Sequence, residues 1–270
     1  MATLNGIVRF SGQLGDLVFY KRGKKDVVRQ KTSAYQLSEK SRKSAHDFGE
    51  ASRNAAYIRK AFAPMVKSYG YGDLHNRLNK RLVAVFATVP AANAGNKRLA
   101  DGNVALLQGF EFNAATRLER LLHLLPEIHL LNPGSFQLLL PKVETGMLLR
   151  VMPKADFAVL QVMVFNFNLN NGQYEIIQVN DLQVAMAEKT FPGAKLSLPV
   201  EPDGDRVLLV AIGISYVEDG SRRNDRRYFA CQLVHCLHLR DGVEVVFETP
   251  VKERVVVKEE RVDGVRWELG

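Results

Sequence analysis

Residues 206–216 have the sequence RVLLVAIGISY, a long apolar run that is typical of a β-strand. Seven more segments between residues 131 and 250 favour strands, because they are short and rich in apolar, β-branched or aromatic residues. They are residues 136–140, 147–152, 157–168, 174–179, 195–199, 227–238 and 243–249. Turn pairs such as Asp219-Gly220 and Asp241-Gly242 separate them. This part therefore predicts an antiparallel β-sandwich of the immunoglobulin or fibronectin type over residues 131–250.

The chain before residue 131 shows other patterns. Residues 16–21 and 25–30 favour two short strands joined at Gly23, which predicts a β-hairpin. From Ser38 onward apolar residues recur with helical spacing. The predicted helix buries Phe48, Ala55, Ile58, Phe62 and Met65.

Two more helices are predicted in this part of the chain. The first begins at an N-cap, Asp73, and ends before Pro90, and the second spans residues 114–125. The first buries Leu74, Leu78, Leu82 and Val85. The predicted fold class is therefore α+β. Residues 1–130 form a basic hairpin with helices, residues 131–250 form the sandwich, and residues 251–270 add an edge strand or a mobile tail.

Positive charge is concentrated at the start of the chain. The formal net charge is +8, and residues 1–70 hold 14 basic against 5 acidic side chains. This asymmetry predicts an acidic partner, which is nucleic acid, an anionic lipid surface or an acidic protein face. Tyr20 and Tyr35 lie among the cations and can stack on bases. The candidate polyanion-binding residues are Lys21, Arg22, Lys24, Lys25, Arg29, Lys31, Arg42, Arg53, Lys60 and Lys67.

A solvated surface explains the same pattern without a partner. Arg42, Arg53, Lys60 and Lys67 follow one another 11, 7 and 7 residues apart, opposite the predicted buried stripe of their helix. A cationic row of this kind also serves solubility, or pairs with acidic patches elsewhere in the chain. Both interpretations stay open at the level of sequence.

The motifs of known catalytic chemistry are missing from the sequence. It has no phosphate-binding P-loop, no Gly-x-Ser-x-Gly elbow and no His-Glu-x-x-His helix. Cys231, His235, Cys236 and His238 are all able to bind zinc. Strand alternation, however, predicts Cys236 and His238 on one face and the other two on the opposite face. We therefore expect no metal site, no cofactor and no enzymatic activity, and we expect buried, reduced thiols.

A second basic segment, residues 219–227, carries four arginines. Nearby acidic residues offset most of their charge. This segment is therefore interpreted as a solvated loop with local ion pairs, with a second anion contact as the alternative.

The N-terminal part of the chain resembles a known family. The residues that carry the resemblance are Phe10-Ser11-Gly12-Gln13-Leu14-Gly15, Val18, Gly23, Val28-Arg29 and the helical segment from Leu37 through Phe48 to Pro64. They are similar to the opening of a family of uncharacterised bacterial proteins, a domain of unknown function. The resemblance implies a helical middle and a β-sandwich with a long apolar strand, here residues 208–216. It implies no activity.

These features predict a non-enzymatic protein whose basic N-terminal region contacts nucleic acid or another polyanion. The alternative is a structural or assembly protein, phage-derived or surface-associated, that self-associates through the N-terminal hairpin. Either role allows a homo-oligomer. Because no long apolar segment and no export signal occurs, we expect no membrane span and a cytoplasmic location.

Overall fold

A computed structural model describes residues 2–3, 11–31, 36–70, 72–132 and 134–248. The protein is a mixed α+β chain with antiparallel sheets. It divides into two compact units, residues 1–43 and residues 44–270. The segment from 251 to 270, which includes the predicted edge strand or tail, lies outside the described residues, as does Tyr35.

The first unit contains a four-stranded antiparallel sheet, here called the N-terminal sheet. Its strands lie in the order β1-β4-β3-β2. Gly15 and Gly23 have φ of 55° and 63° at the first position of two-residue turns, a backbone conformation that favours glycine. The predicted hairpin is therefore confirmed as β3 and β4. The strands are β1 (Ala2–Thr3), β2 (Gly12–Leu14), β3 (Leu17–Arg22) and β4 (Lys25–Gln30).

The predicted first helix is α1 (Glu39–Ala61), followed by the short α2 (Ala63–Val66). Its stripe is buried from Ala55 to Met65, but Phe48 is 57% exposed, so the prediction of a buried Phe48 is wrong. The buried part of α1 begins at Ala51, and Phe48 lies one turn before it, toward the N-terminus of the helix.

The second predicted helix is α3 (Leu74–Thr88), and all four of its predicted core residues are buried. Asp73 occupies the N-cap position, but its carboxylate accepts from Arg77 Nε at 2.8 Å and makes no cap hydrogen bond. The helix predicted over residues 114–125 is wrong. Only a single 3₁₀ turn forms there, at Leu118–Arg120.

The rest of the second unit is mainly β-structure, with one short helix, α4 (Thr145–Leu148). Seven of the eight predicted strands are present, although only Val243–Glu244 of the last is a strand. The strand predicted over residues 147–152 is wrong, because α4 and an extended segment occupy it. The strands are β5 (Glu127–Asn132), β6 (Ser135–Leu140), β7 (Val143–Glu144), β8 (Phe157–Asn168), β9 (Tyr174–Gln178), β10 (Leu182–Ala185), β11 (Thr190–Phe191), β12 (Ala194–Pro199), β13 (Asp205–Glu218), β14 (Ser221–Arg222), β15 (Ala230–Arg240) and β16 (Val243–Glu244).

Seven of these strands form one antiparallel sheet, here called the central sheet, whose main path is β10-β8-β13-β15-β16. β9 and β14 pair with β8 and β13 beside that path. β12, β6 and β5 form a separate three-stranded sheet, and β11 pairs with β7. These pairings do not confirm an immunoglobulin-like arrangement.

The central sheet is covered on both faces. One face packs with the helices, and its core contains Phe62 of α1–α2 with Phe165 of β8 and Leu209 of β13. The other face packs with the three-stranded sheet, where Phe136 of β6 joins Val210 of β13 in a second core. The long strand β13 thus alternates its side chains between two apolar cores, and residues 206–216 are all buried.

The helices after residue 44 and the central sheet therefore share a core. The predicted division of the chain into residues 1–130, 131–250 and 251–270 stays a prediction. Among the helices of the described segments, none combines the length and apolar composition that a membrane crossing requires.

Candidate polyanion-binding surface

The strand register of the N-terminal sheet decides which predicted cations share a surface. Arg22 lies opposite Lys25, Tyr20 opposite Val27, and Val18 opposite Arg29. Residues paired across an antiparallel ladder point to the same side of the sheet. Arg22, Lys25 and Arg29 therefore lie on one side, here called the cationic face.

The cationic face also carries an aromatic ring. The Arg29 guanidinium lies 6.0 Å from the centre of the Tyr20 ring, within the range of a cation–π contact. Arg22, Lys25 and Arg29 are exposed, whereas Tyr20 is partly buried. Among residues 11–31, both carboxylates lie elsewhere, with Asp16 in a turn and Asp26 on the opposite side of the sheet.

Two cations face each other directly across the end of the hairpin. Arg22 and Lys25 form the cross-strand pair that flanks the turn at Gly23. Like charges in this position repel each other and destabilise a hairpin. An anion placed between them would remove that repulsion, so this pair is a local electrostatic reason to bind one.

The opposite side of the N-terminal sheet is less basic and more apolar. It carries Lys21, which lies across from Asp26. Leu14 and Leu17 form another cross-strand pair there and are 70% and 44% exposed. The hairpin cations predicted as one set are thus divided: three share the cationic face, and Lys21 lies on the other side.

The remaining predicted cations are also exposed. Lys24 lies in the turn, Lys31 follows β4, and Arg42 lies near the start of α1. All of these belong to the first unit. Arg53, Lys60 and Lys67 belong to the second unit, and Arg53 forms an ion pair with Glu50.

The four arginines of the basic loop, residues 219–227, form ion pairs or hydrogen bonds with other residues of the second unit. Arg222 pairs with Asp181, Arg223 with Glu218 at 3.1 Å, and Arg227 with Asp225 at 2.8 Å. The fourth, Arg226, donates from Nε to the carbonyl oxygen of Tyr69 at 2.5 Å. The predicted local pairs are present for Arg223 and Arg227, whereas Arg222 and Arg226 contact distant parts of the chain.

The structure adds a basic cleft that the sequence did not predict. Its volume is about 670 Å³, and it is lined by Arg77 and Lys80 with Arg81 of α3 and Arg117 of the loop before the 3₁₀ turn. The spacing of the three α3 residues places them on one side of the helix, which is a signal readable from sequence. Arg117 is brought to them only by tertiary structure.

Two acidic residues, Glu111 and Glu119, also line this cleft. The Oε1 atom of Glu111 accepts from the Leu118 backbone N–H at 3.0 Å and from Gln232 Nε2 at 2.7 Å. Burial raises the pKa of this carboxyl above its usual value, because the charged form loses hydration. Arg77 also donates to the Glu111 carbonyl oxygen, at 2.5 Å, which ties α3 to this loop. The cleft can bind a phosphate or carboxylate, and within the described residues it contains no nucleophile.

The cysteine and histidine cluster is arranged differently from the prediction. The register between β13 and β15 shifts beside Val234, which forms a bulge. Cys231 and Cys236 therefore lie in the same helix-covered core, with His238 on that side and His235 on the other, so the predicted division is wrong.

Both thiols of this cluster are free, and burial raises their pKa. Four register steps separate them along the strand, roughly 14 Å, too far to share a metal ion. Within the described residues no group of histidines, cysteines and acids could hold a metal. The expectation of buried thiols is confirmed.

We compared the chain with family models, with curated proteins and with solved structures, and none of the three comparisons found a match. The resemblance to the family of uncharacterised bacterial proteins stays a prediction.

Proposed function

We propose that the protein is a non-enzymatic polyanion-binding protein that contacts the phosphates of nucleic acid through the cationic face. The observation that carries this proposal is the cross-strand pair of Arg22 and Lys25, beside Arg29, on a face whose described residues include no carboxylate. The cation–π pair of Tyr20 and Arg29 favours single strands, because unpaired bases can stack on aromatic rings and guanidinium groups.

Two other cationic sets are phosphate-binding candidates in their own right. Arg53, Lys60 and Lys67 with Arg42 form the predicted helical row, and the α3 cleft supplies Lys80, Arg81 and Arg117. None of the last three forms a side-chain ion pair within the described residues. Glu111 and Glu119 of the same cleft offset part of their charge, and the rest is available to phosphate.

The experiment measures the binding of a short labelled single-stranded DNA to the full chain at several salt concentrations between about 50 and 200 mM. The triple variant Arg22→Gln, Lys25→Gln, Arg29→Gln should bind roughly tenfold or more weakly. Its plot of log affinity against log salt should be shallower by about 2, since each lost phosphate contact removes about 0.7 from the slope. The same titrations with duplex DNA and with RNA of the same sequence show which class of nucleic acid the protein binds most tightly.

Lys21→Gln is the matched control for the cationic face. It removes one cation from the same hairpin, but from the side where Asp26 lies. It should change the salt slope little. An equal loss per charge from Lys21→Gln and from the triple variant would show that only net charge matters, and the cationic face would be rejected. A parallel variant, Lys80→Gln, Arg81→Gln, Arg117→Gln, measures the contribution of the cleft.

Self-association through the N-terminal sheet is the second candidate function. Leu14 and Leu17 expose an apolar cross-strand pair on the side opposite the cationic face. A second copy could cover these side chains and remove them from water. The variant Leu14→Gln, Leu17→Gln should then convert an oligomer to a monomer in light scattering. A monomeric wild-type chain at high concentration would reject this candidate.

A cytoplasmic location belongs to the same proposal, and the two free, buried thiols are in keeping with it. We also retain the immunoglobulin-like sandwich as a proposal for the β-rich part. Its support is the packing of the three-stranded sheet on one face of the central sheet.

A further inference from the structure

The second unit contains an apolar cavity of about 340 Å³ between the three-stranded sheet and the central sheet. Leu138 of β6 and Leu196 of β12 line one wall. Leu160 and Val162 of β8 with Ile212 of β13 line the other. The cavity opens between β10 and β12, which are the outer strands of their two sheets.

The cavity is open to solvent on one side, and its inner wall is formed by the buried side chains of Leu138, Leu160 and Ile212. An apolar wall exposed to water costs less free energy when an apolar ligand covers it. The wall residues are aliphatic, so bound water would find few hydrogen-bond partners among them. The arrangement therefore suits an apolar ligand better than water.

The mouth of the cavity indicates the head group of that ligand. Asp181 lies there, but its two carboxylate oxygens accept from Gln161 Nε2 at 3.0 Å and from Arg222. Lys195 points outward, because it alternates with the inward Ala194 and Leu196 along β12. Lys195 is the only cation among the described lining residues and makes no ion pair there, but it shares the outer side of its sheet with Leu139, away from the cavity. Asn180 at the mouth has a side-chain amide without a partner in the described chain, which can bind a hydroxyl group.

Volume sets the length of the ligand. A cavity of about 150 Å³ lined by aliphatic and aromatic side chains holds one benzene, which has six carbons. The present cavity is about twice as large and therefore has room for roughly ten to fourteen carbons. We propose that it is a binding site for an uncharged aliphatic chain of this length with a hydroxyl head group. This site is independent of the polyanion-binding proposal.

The test is isothermal titration of the full chain with 1-decanol. One decanol should bind per chain, and the affinity should rise with each added methylene in a series of alcohols until about twelve carbons and then level off. Decanoate should bind at least roughly tenfold more weakly, because its carboxylate would lie beside Asp181 and lose hydration.

A cavity-filling variant separates the site from non-specific binding. Val162→Phe places a larger side chain in the wall and should abolish decanol binding while the unfolding midpoint stays at or above that of the wild type. Leu196→Phe is a second filling variant from the opposite wall, and it replaces the first if Val162→Phe does not fold. Ile176→Phe is the matched control on the neighbouring strand β9, where Ile176 is 39% exposed and outside the cavity wall.

The outcomes are decisive in both directions. Decanol binding to the wild type and to Ile176→Phe, but to neither folded filling variant, supports the site. Failure of decanol to bind the wild-type chain overturns the proposal. Equal binding to a filling variant, several decanols per chain, or affinity that keeps rising beyond about fourteen carbons also overturns it.

Discussion

The N-terminal sheet and the central sheet are built by the same antiparallel pairing but are stabilised differently. In the described part of the first unit, residues 11–31 include only one buried side chain, that of Val27. In the central sheet, β13 buries every residue from 206 to 216 between two cores. The first sheet depends on turn glycines and strand pairing, and the second depends on packing.

This difference separates the places where the protein can bind charge from the places where it cannot. A thinly packed sheet keeps its cations hydrated and accessible, as at Arg22 and Lys25. A sheet that is covered on both faces has to pair or exclude its charges, because an unpaired buried charge is costly. Arg206 of β13 illustrates this, since it is 9% exposed and donates from Nε to the Asp203 carbonyl oxygen at 2.7 Å.

The largest expected effect is in the central sheet. Phe165 is 1% exposed, and its ring lies 5.3 Å from that of Tyr174 and 6.4 Å from that of Phe62. Phe165→Ala should lower the free energy of unfolding by about 3–5 kcal/mol, because it leaves a cavity. Urea unfolding measures this. Phe157→Ala, on the same strand at 37% exposure, should cost about 1 kcal/mol, and equal losses would contradict the role assigned to packing.

A smaller and local effect is expected in the N-terminal sheet. Gly23 has φ of 63°, and a β-branched residue in that conformation costs about 1–2 kcal/mol. Gly23→Val should speed hydrogen exchange at Val27 and Val28 of β4 without lowering the thermal midpoint of the second unit. Gly23→Asn is the control, since asparagine tolerates this conformation better. A global loss of stability as large as that of Phe165→Ala would remove the distinction between the sheets.

The pH dependence of stability should be confined to the second unit. Burial lowers the pKa of His238 and of His235 below the value of 6.5. Asp205 raises the pKa of His238 and Arg240 lowers it, both to a smaller extent than burial. The two histidines therefore bind protons at higher pH in the unfolded chain than in the folded chain. Their contribution to the free energy of unfolding is fully present above about pH 6.5 and is lost as the pH drops through the folded pKa values.

The double variant His235→Gln, His238→Gln should flatten that dependence in urea unfolding between about pH 7 and 5. Residues 1–43 contain no histidine, so the free energy of local opening in β4, from hydrogen exchange, should not change over the same range. An unchanged pH profile in the double variant would show that other groups control it.

The smallest effect is expected for the basic loop. Arg227 is an exposed member of a pair with Asp225, and water and salt screen such a pair so that it contributes little to stability. Arg227→Gln should leave both the urea midpoint and the salt slope of DNA binding nearly unchanged. A drop in that slope of about 0.7, the loss expected for one phosphate contact, would place this loop in the binding surface and weaken the contrast between the two units.

Regular local patterns were predictable, whereas segments governed by distant contacts were not. The strand at residues 157–168 and the hairpin follow from apolar composition and turn residues, which act locally. The helix predicted over 114–125 fails because its backbone is used elsewhere. Glu111 accepts from Leu118 N–H, and Leu122 bridges to Leu149. In a helix, each of these backbone groups would instead bond to a residue four positions away in the chain.

The candidate site was predictable only as a set of charges. The excess of cations in residues 1–70 can be counted, but which of them share a face depends on the register of β3 and β4. The α3 cleft was missed because Arg117 lies far from Arg77, Lys80 and Arg81 in the chain.

The sequence by itself determined the turns, the long apolar strand and the uneven distribution of charge, since these follow from backbone preferences and composition. Only the tertiary structure decided that Phe48 is exposed, that a bulge at Val234 brings both thiols to one core, and that an apolar cavity opens between two sheets. The physical reason is that burial, strand register and cavity volume depend on contacts between segments that are distant in the chain. The conformational preferences of single residues do not specify those contacts.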